Sequence, residues 1–217
     1  MCGINCILKF DDSRVDKSDL LWMNKMIIHR GPDFQDTFID NNLGFGHCRL
    51  SIIDLSINAN QPMASNDNRF VIVYNGEVYN FNVLRSSLLK LGYKFKSKSD
   101  TEVVLNAYIE WGDKAVEKLN GMFAFLIWDK KKKELFIARD RYGIKPLYYS
   151  INSQRIIISS EIKSIKRFIK PSINKESLIE YFLFQNYLKN KTMFSEIFLF
   201  EKGCTYKIIN RKLVKKK

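Results

Sequence analysis

The chain of 217 residues is 46% hydrophobic, with 16 Phe and 10 Tyr, and sets 36 Lys and Arg against 23 Asp and Glu for a formal net charge of +13. That apolar and aromatic content excludes a disordered chain and fits one domain burying about 70% of its unfolded surface. No apolar run reaches the ~20 residues of a spanning helix, and Asp11-Asp12 interrupt the N-terminus too early for a signal peptide, so no membrane partner and a cytoplasmic location are expected.

Residues 2–10 read as a first strand, carried by Ile4, Ile7 and Phe10. A helix follows over 17–28, with Leu20, Leu21, Met23, Ile27 and Ile28 apolar, and His29-Arg30-Gly31-Pro32-Asp33 breaks it. Strands at 34–40 and 43–50 meet at Asp40-Asn41-Asn42. The apolar run 70–74 is a strand that ends at Asn75-Gly76. Asn80 is read as the cap of a helix with Phe81, Leu84, Leu88 and Leu91 on one face. Ser99-Asp100-Thr101-Glu102 has the form of a capping box before a helix running to about Trp111. Hairpins are expected from 122–128 with 135–138 and from 146–150 with 155–159. A helix near 174–184 and a strand near 204–209 close the chain. Antiparallel pairs with helices between them predict an α+β layered domain rather than a βαβ winding.

Cys2 stands directly behind Met1, and its small side chain lets an aminopeptidase remove that methionine. One residue then carries a thiol nucleophile and a free α-amine to serve as its base. With an unperturbed pKa of ~7.7–8.0, roughly a seventh of that amine is neutral at pH 7. The other cysteines, Cys6, Cys48 and Cys204, are read as free thiols of a reducing compartment. With only His29 and His47 beside them, no metal site is expected. The lysine clusters at 130–133 and 215–217 sit at a turn and at the C-terminus, without the interleaved Arg and aromatics of a nucleic-acid surface, so no nucleic-acid partner is expected.

Five further residues allow two readings each. Asn75-Gly76 is a common tight-turn dipeptide, or a side-chain amide and a backbone N–H aimed at one oxyanion. Arg49 is an exposed strand arginine, or a fork for a carboxylate. Asp100 is placed at a helix start that favours a carboxylate in any case, and Glu77 serves a surface or a site equally well.

The order of the surrounding words decides between them. Met1-Cys2-Gly3-Ile4, His29-Arg30-Gly31-Pro32-Asp33, Gly46-His47-Cys48-Arg49-Leu50-Ser51-Ile52-Ile53-Asp54 and Tyr74-Asn75-Gly76-Glu77-Val78-Tyr79-Asn80 come first. Ser99-Asp100-Thr101-Glu102, Leu119-Asn120-Gly121-Met122-Phe123-Ala124-Phe125, the run from Ala138-Arg139-Asp140 to Pro146-Leu147-Tyr148-Tyr149, and Ser160-Glu161-Ile162-Lys163 follow. The chain resembles the class II, N-terminal-nucleophile glutamine amidotransferases, and within them the glutaminase domain of B-type asparagine synthetases. The resemblance implies a four-layer αββα sandwich of two antiparallel sheets, the Ntn hydrolase fold. It implies Cys2 as nucleophile, with Asn75 and Gly76 as the oxyanion hole. Arg49 would bind the α-carboxylate of glutamine, Glu77 and Asp100 its α-amino group, and the backbone near Ile52 and Ile53 would line the pocket. Arg30 and Lys145 are left as supporting or structural residues.

The resemblance further implies a domain over 2–209, with the basic 210–217 opening a linker. It implies ammonia delivery to a synthetase domain or subunit that makes asparagine from aspartate. The glutaminase reaction would need no cofactor. ATP and Mg²⁺ would belong to the synthetase domain, whose Ser-Gly-Gly-x-Asp-Ser loop is not in this sequence. A domain of a longer protein, a split subunit and a standalone amidotransferase of a sugar or polysaccharide pathway all fit, as does a non-catalytic partner-binding relic. A homodimer is allowed but not specified. Cys6 stands where the family usually has glycine, and Cys48 is expected to point away from Arg49 across its strand.

Overall fold

The computed structural model describes residues 1–216. Its first sheet has the order β10-β8-β9-β1-β3-β2. These strands are β1 (Gly3–Lys9), β2 (Phe34–Asp40), β3 (Leu43–Arg49), β8 (Tyr148–Ile151), β9 (Arg155–Ser159) and β10 (Phe198–Leu199). The second sheet has the order β12-β11-β7-β6-β5-β4. It comprises β4 (Met63–Ala64), β5 (Phe70–Val78), β6 (Gly121–Asp129), β7 (Glu134–Arg139), β11 (Thr205–Ile209) and β12 (Lys212–Lys216). Every pairing is antiparallel.

The two-residue period of each strand sorts the layers. Ile4, Cys6 and Leu8 of β1 face Val71 and Val73 of β5 and Ala124, Leu126 and Trp128 of β6 in the core between the sheets. The alternate residues point outward. Ile7 and Ile157 meet Leu20 and Met23 of α1 (Lys17–Ile27). Ile72, Phe125 and Ile127 meet Leu84 and Leu88 of α2 (Phe81–Lys90) and the buried face of α3 (Asp100–Trp111). Helix, sheet, sheet and helix are therefore stacked in that order, as the resemblance implies. The shorter helices are α4 (Ala115–Lys118), α5 (Ile162–Ile165) and α6 (Lys175–Phe184). No helix is long and apolar enough to cross a membrane among the described residues.

Close approach dictates the glycine at position 46. A Cβ on Gly46 would lie 2.4 Å from Asn24 Oδ1. Without it, Asn24 reaches in from α1, accepts from Asn5 Nδ2 at 2.9 Å and donates to the Asp36 carbonyl at 3.1 Å.

The structure departs from the sequence reading in four places. Asn75-Gly76 does not end its strand: β5 runs on to Val78, and Gly76 pairs with Phe123. A Cβ there would fall 2.5 Å from the Met122 carbonyl oxygen, so glycine is required by the neighbouring strand rather than by a turn. Asn80 precedes α2 but does not cap it with its side chain. It donates to the Lys118 carbonyl and accepts from Asn120 N–H, tying two loops. Half of the capping box forms. Ser99 Oγ accepts from Glu102 N–H, but the Glu102 carboxylate turns to the N–H groups of Lys96 and Ser97. The basic end expected to open a linker pairs as β12 with β11 over Lys212–Lys216.

One tie crosses the gap between the sheets near its end. His47 on β3 is fully buried, and its Nε2–H donates to the Tyr74 carbonyl of β5 at 3.1 Å. Burial holds this imidazole down to about 4, so it stays neutral in the folded protein. The unfolded chain therefore binds one more proton than the folded one between pH ~6.5 and ~4, and stability from this group falls as pH drops through that window. Its full loss amounts to about 3 kcal/mol. In urea titrations across that range, His47→Gln should flatten the pH dependence, and an unchanged slope would show that other groups carry it.

Candidate active site

Cys2 immediately precedes β1, the strand flanked by β9 and β3 in the first sheet. Its Sγ is held against the segment after β3: it accepts from Leu50 N–H at 3.4 Å and lies 3.7 Å from the Leu50 carbonyl. The Cys2 carbonyl accepts from Arg30 Nε at 3.0 Å. Burial pushes the thiol above its ordinary value, against the opposing pull of the Leu50 N–H, so at neutral pH the sulfur keeps its proton unless a base takes it. In this chain Met1 acylates the Cys2 nitrogen, so the amine present is that of Met1.

Across the gap, β5 brings Asn75, Gly76 and Glu77 to the same cavity. Asn75 follows the parity of Val71 and Val73, which face the space between the sheets. It is buried, and its Nδ2 has no hydrogen-bond partner among the described residues. An unpaired buried amide is costly, and one aimed into a cavity is a donor awaiting an acceptor. The Glu77 carboxylate is partly exposed at the cavity wall.

Arg49 ends β3 and is 6% exposed. The loop behind it wraps its guanidinium: Nη1 donates to the Ser56 carbonyl at 2.9 Å and to Asn60 Oδ1 at 2.6 Å, and Nη2 to the Asp54 carbonyl. Three of the five N–H groups are thereby committed, leaving Nε–H and one Nη2–H without partners among the described residues. Ile52 and Ile53, in the same loop, line the cavity with their side chains exposed at its rim.

Asp100 opens α3, where the helix N-terminus suits a carboxylate. Its Oδ2 accepts from the Tyr74 hydroxyl at 2.6 Å and from Val78 N–H at 3.0 Å. Burial raises its pKa, partly offset by those two bonds, and burial next to this carboxylate drives the Tyr74 hydroxyl well above its ordinary value.

All eight residues singled out from the sequence, Cys2, Arg49, Ile52, Ile53, Asn75, Gly76, Glu77 and Asp100, line this one cavity. Cys48 does not. Its thiol turns to the Asn24 carbonyl of α1, on the face opposite Arg49. Two contributors, Tyr74 and Gln61, were not foreseen, and Lys145, expected to be supporting or structural, lines the cavity itself. Tyr74 fixes Asp100. Gln61 accepts from Tyr74 N–H at 2.6 Å and reaches Thr101 Oγ1 at 3.3 Å, joining β5 to α3. Lys145 reaches the cavity wall from a loop. A polar residue at the end of an otherwise apolar strand was the available signal for Tyr74, but nothing local marks Gln61.

Compared with known proteins, residues 1–217 match the family described as the glutamine amidotransferase domain. The chain is 43% identical over 195 residues to glutamine-hydrolysing asparagine synthetase 1 of Bacillus subtilis, covering 89% of this chain and 31% of that protein. It is 40% identical over 187 residues to asparagine synthetase 3 of the same organism, covering 84% and 30%. The chain thus spans about a third of the length of the curated relatives it matches. Its fold is that of the glutamine phosphoribosylpyrophosphate amidotransferase from B. subtilis, with a TM-score of 0.72 at 18% identity, over 100% of this chain and 49% of that one.

Tyr74→Phe removes one of two bonds to a buried carboxylate and should cost about 1.5–3 kcal/mol in denaturant unfolding. A loss below half a kcal/mol would mean that Val78 N–H alone satisfies Asp100.

Proposed function

We propose, from the premise that this chain belongs to the glutamine amidotransferase domain family, that its cavity hydrolyses the side-chain amide of glutamine through a thioester on Cys2. The observation that carries this reading is a thiol and an unpartnered buried amide donor meeting in one cavity with the Arg49 guanidinium and the Glu77 and Asp100 carboxylates. The α-end of glutamine is a zwitterion and needs both signs of charge. Arg49 receives its carboxylate on the N–H groups the loop leaves free. Asp100 and Glu77 receive its ammonium, which favours the ionised form of a carboxylate that burial otherwise disfavours.

The chemistry follows from that pose. Removal of Met1 frees the Cys2 α-amine, which takes the thiol proton. The thiolate attacks the amide carbon, and the oxygen that becomes negative is met by Asn75 Nδ2–H and Gly76 N–H. The ammonium returns its proton to the departing nitrogen, so ammonia leaves and a thioester remains. Water, deprotonated by the same amine, then cleaves the thioester to glutamate and the free thiol. No metal or cofactor enters these steps.

The relatives' names support aspartate as the acceptor of the ammonia, in a synthetase domain or subunit that would use ATP and Mg²⁺. The two thirds of their length that this chain does not span is room for such a domain.

Glutamate release by the processed protein tests the reading. Cys2→Ala should abolish it, and Asn75→Ala should lower kcat about 10²–10³-fold. Asp100→Asn should act chiefly on KM. Intact mass should show loss of one methionine in every active preparation. Turnover by Cys2→Ala would overturn the mechanism, and a folded, processed wild type that releases no glutamate would favour the partner-binding relic.

A further inference from the structure

Lys145 lines the cavity together with Met1 and Cys2, and is only 5% exposed. Its ammonium makes no hydrogen bond or ion pair among the described residues. A lysine drawn into the cavity wall without a counter-ion calls for a reason. The loop that carries it is built for that placement. Asp140 accepts the N–H groups of Tyr142, Ile144 and Lys145, each at 3.0 Å. Arg139 donates to the carbonyls of Lys145 at 2.9 Å and Gly143 at 2.6 Å, and Gly143 turns the chain at φ 68°. The Asp140 carboxylate is thus spent on backbone, not on the lysine beside it.

Other charges face the chain start as well. The segment after α1 contributes Arg30 and Asp33, β3 contributes Arg49, β5 contributes Tyr74 and Glu77, and α3 contributes Asp100. Arg30 is paired with Glu161 at 3.1 Å, a carboxylate it shares with His29 and Lys163. Asp33 accepts from Ser51 N–H at 2.7 Å. Arg49 is wrapped by its loop, and Asp100 is held by Tyr74. Lys145 is the cation of this group left without a partner.

We propose that the charge of Lys145 keeps the α-amine of processed Cys2 neutral, and so tunes the base of the reaction without touching the substrate. This rests on the reading above that the amine is the base. A nearby positive charge disfavours the protonated amine, and a neutral amine is the form that accepts a proton. The amine of Met1, one residue further out, already shows the effect. Burial holds it below its ordinary value, with Arg30 and Lys145 adding to the fall and Cys2 and Asp33 opposing it.

The test uses processed wild type, Lys145→Met, Lys145→Gln and Lys145→Arg. kcat/KM is followed against pH, and the Cys2 α-amine is titrated by NMR on protein labelled at cysteine Cα. Loss of the charge should raise the amine's pKa, so the acid limb should move to higher pH by about 0.5–1 unit in the Met and Gln variants and stay in place in Arg. Below the limb, that amounts to about 3–10-fold lower kcat/KM. Thermal stability should not fall, because the ammonium removed makes no hydrogen bond or ion pair among the described residues. A limb and an amine titration that are the same in all four proteins would overturn the proposal, as would a loss of stability with an unmoved pH profile. An amine titration that moves while the limb stays would uphold the electrostatic effect and overturn the amine as base.

Discussion

The constellation is split between two sheets, and the rest of the site depends on their being held face to face in one register. Cys2 precedes β1, while the amide donor proposed to meet its oxyanion rides on β5. A misplacement of about 1 Å between nucleophile and donor is enough to lose most of the rate advantage of proximity. The core between the sheets supplies the adhesion, through Ile4, Cys6, Phe45, Val73 and Leu126. Adhesion is non-directional, so it cannot set a register. The His47 to Tyr74 hydrogen bond is directional, and it joins the residue opposite Ile4 to the residue before Asn75. A neutral, buried imidazole suits that task, because it donates one hydrogen without bringing a charge into the core.

Electrostatics in the cavity follow from the same burial. Desolvation raises the Cys2 thiol and the Asp100 carboxyl together, so burial holds a proton on each more tightly than water would. Glutamine's ammonium would relieve one of these groups and a neutral amine the other. On the proposed function, the site is thereby matched to a zwitterion with a neutral amide tail. Arg49 shows how such a site is kept in order without ligand. Its fork is threaded by the backbone of the following loop, so the charge that would bind a carboxylate also fixes the rim that carries Ile52 and Ile53.

Much of this was legible in the residues. The main strands and helices followed from periodicity, because alternating or helical burial leaves its period in the chain. Where the reading failed, the deciding contact was remote. Asn75-Gly76 looks like a turn when read locally, yet the glycine answers to Met122 on the adjacent strand. Asn80 looks like a cap, yet its amide is drawn to Lys118 and Asn120, far along the chain. The tie from Gln61 to Thr101 is of the same kind.

The residue types and their order settled the class of chemistry: a cysteine behind the initiator, a fork-shaped cation, an amide beside a glycine, and a carboxylate at a helix start. These are properties of side chains, and a linear string carries them in full. Which of them meet, and in what state of charge, belonged to the folded molecule. Burial makes His47 neutral, leaves Asn75 Nδ2 unpaired and strands Lys145 in the cavity wall, and burial is a property of neighbours brought together from distant parts of the chain.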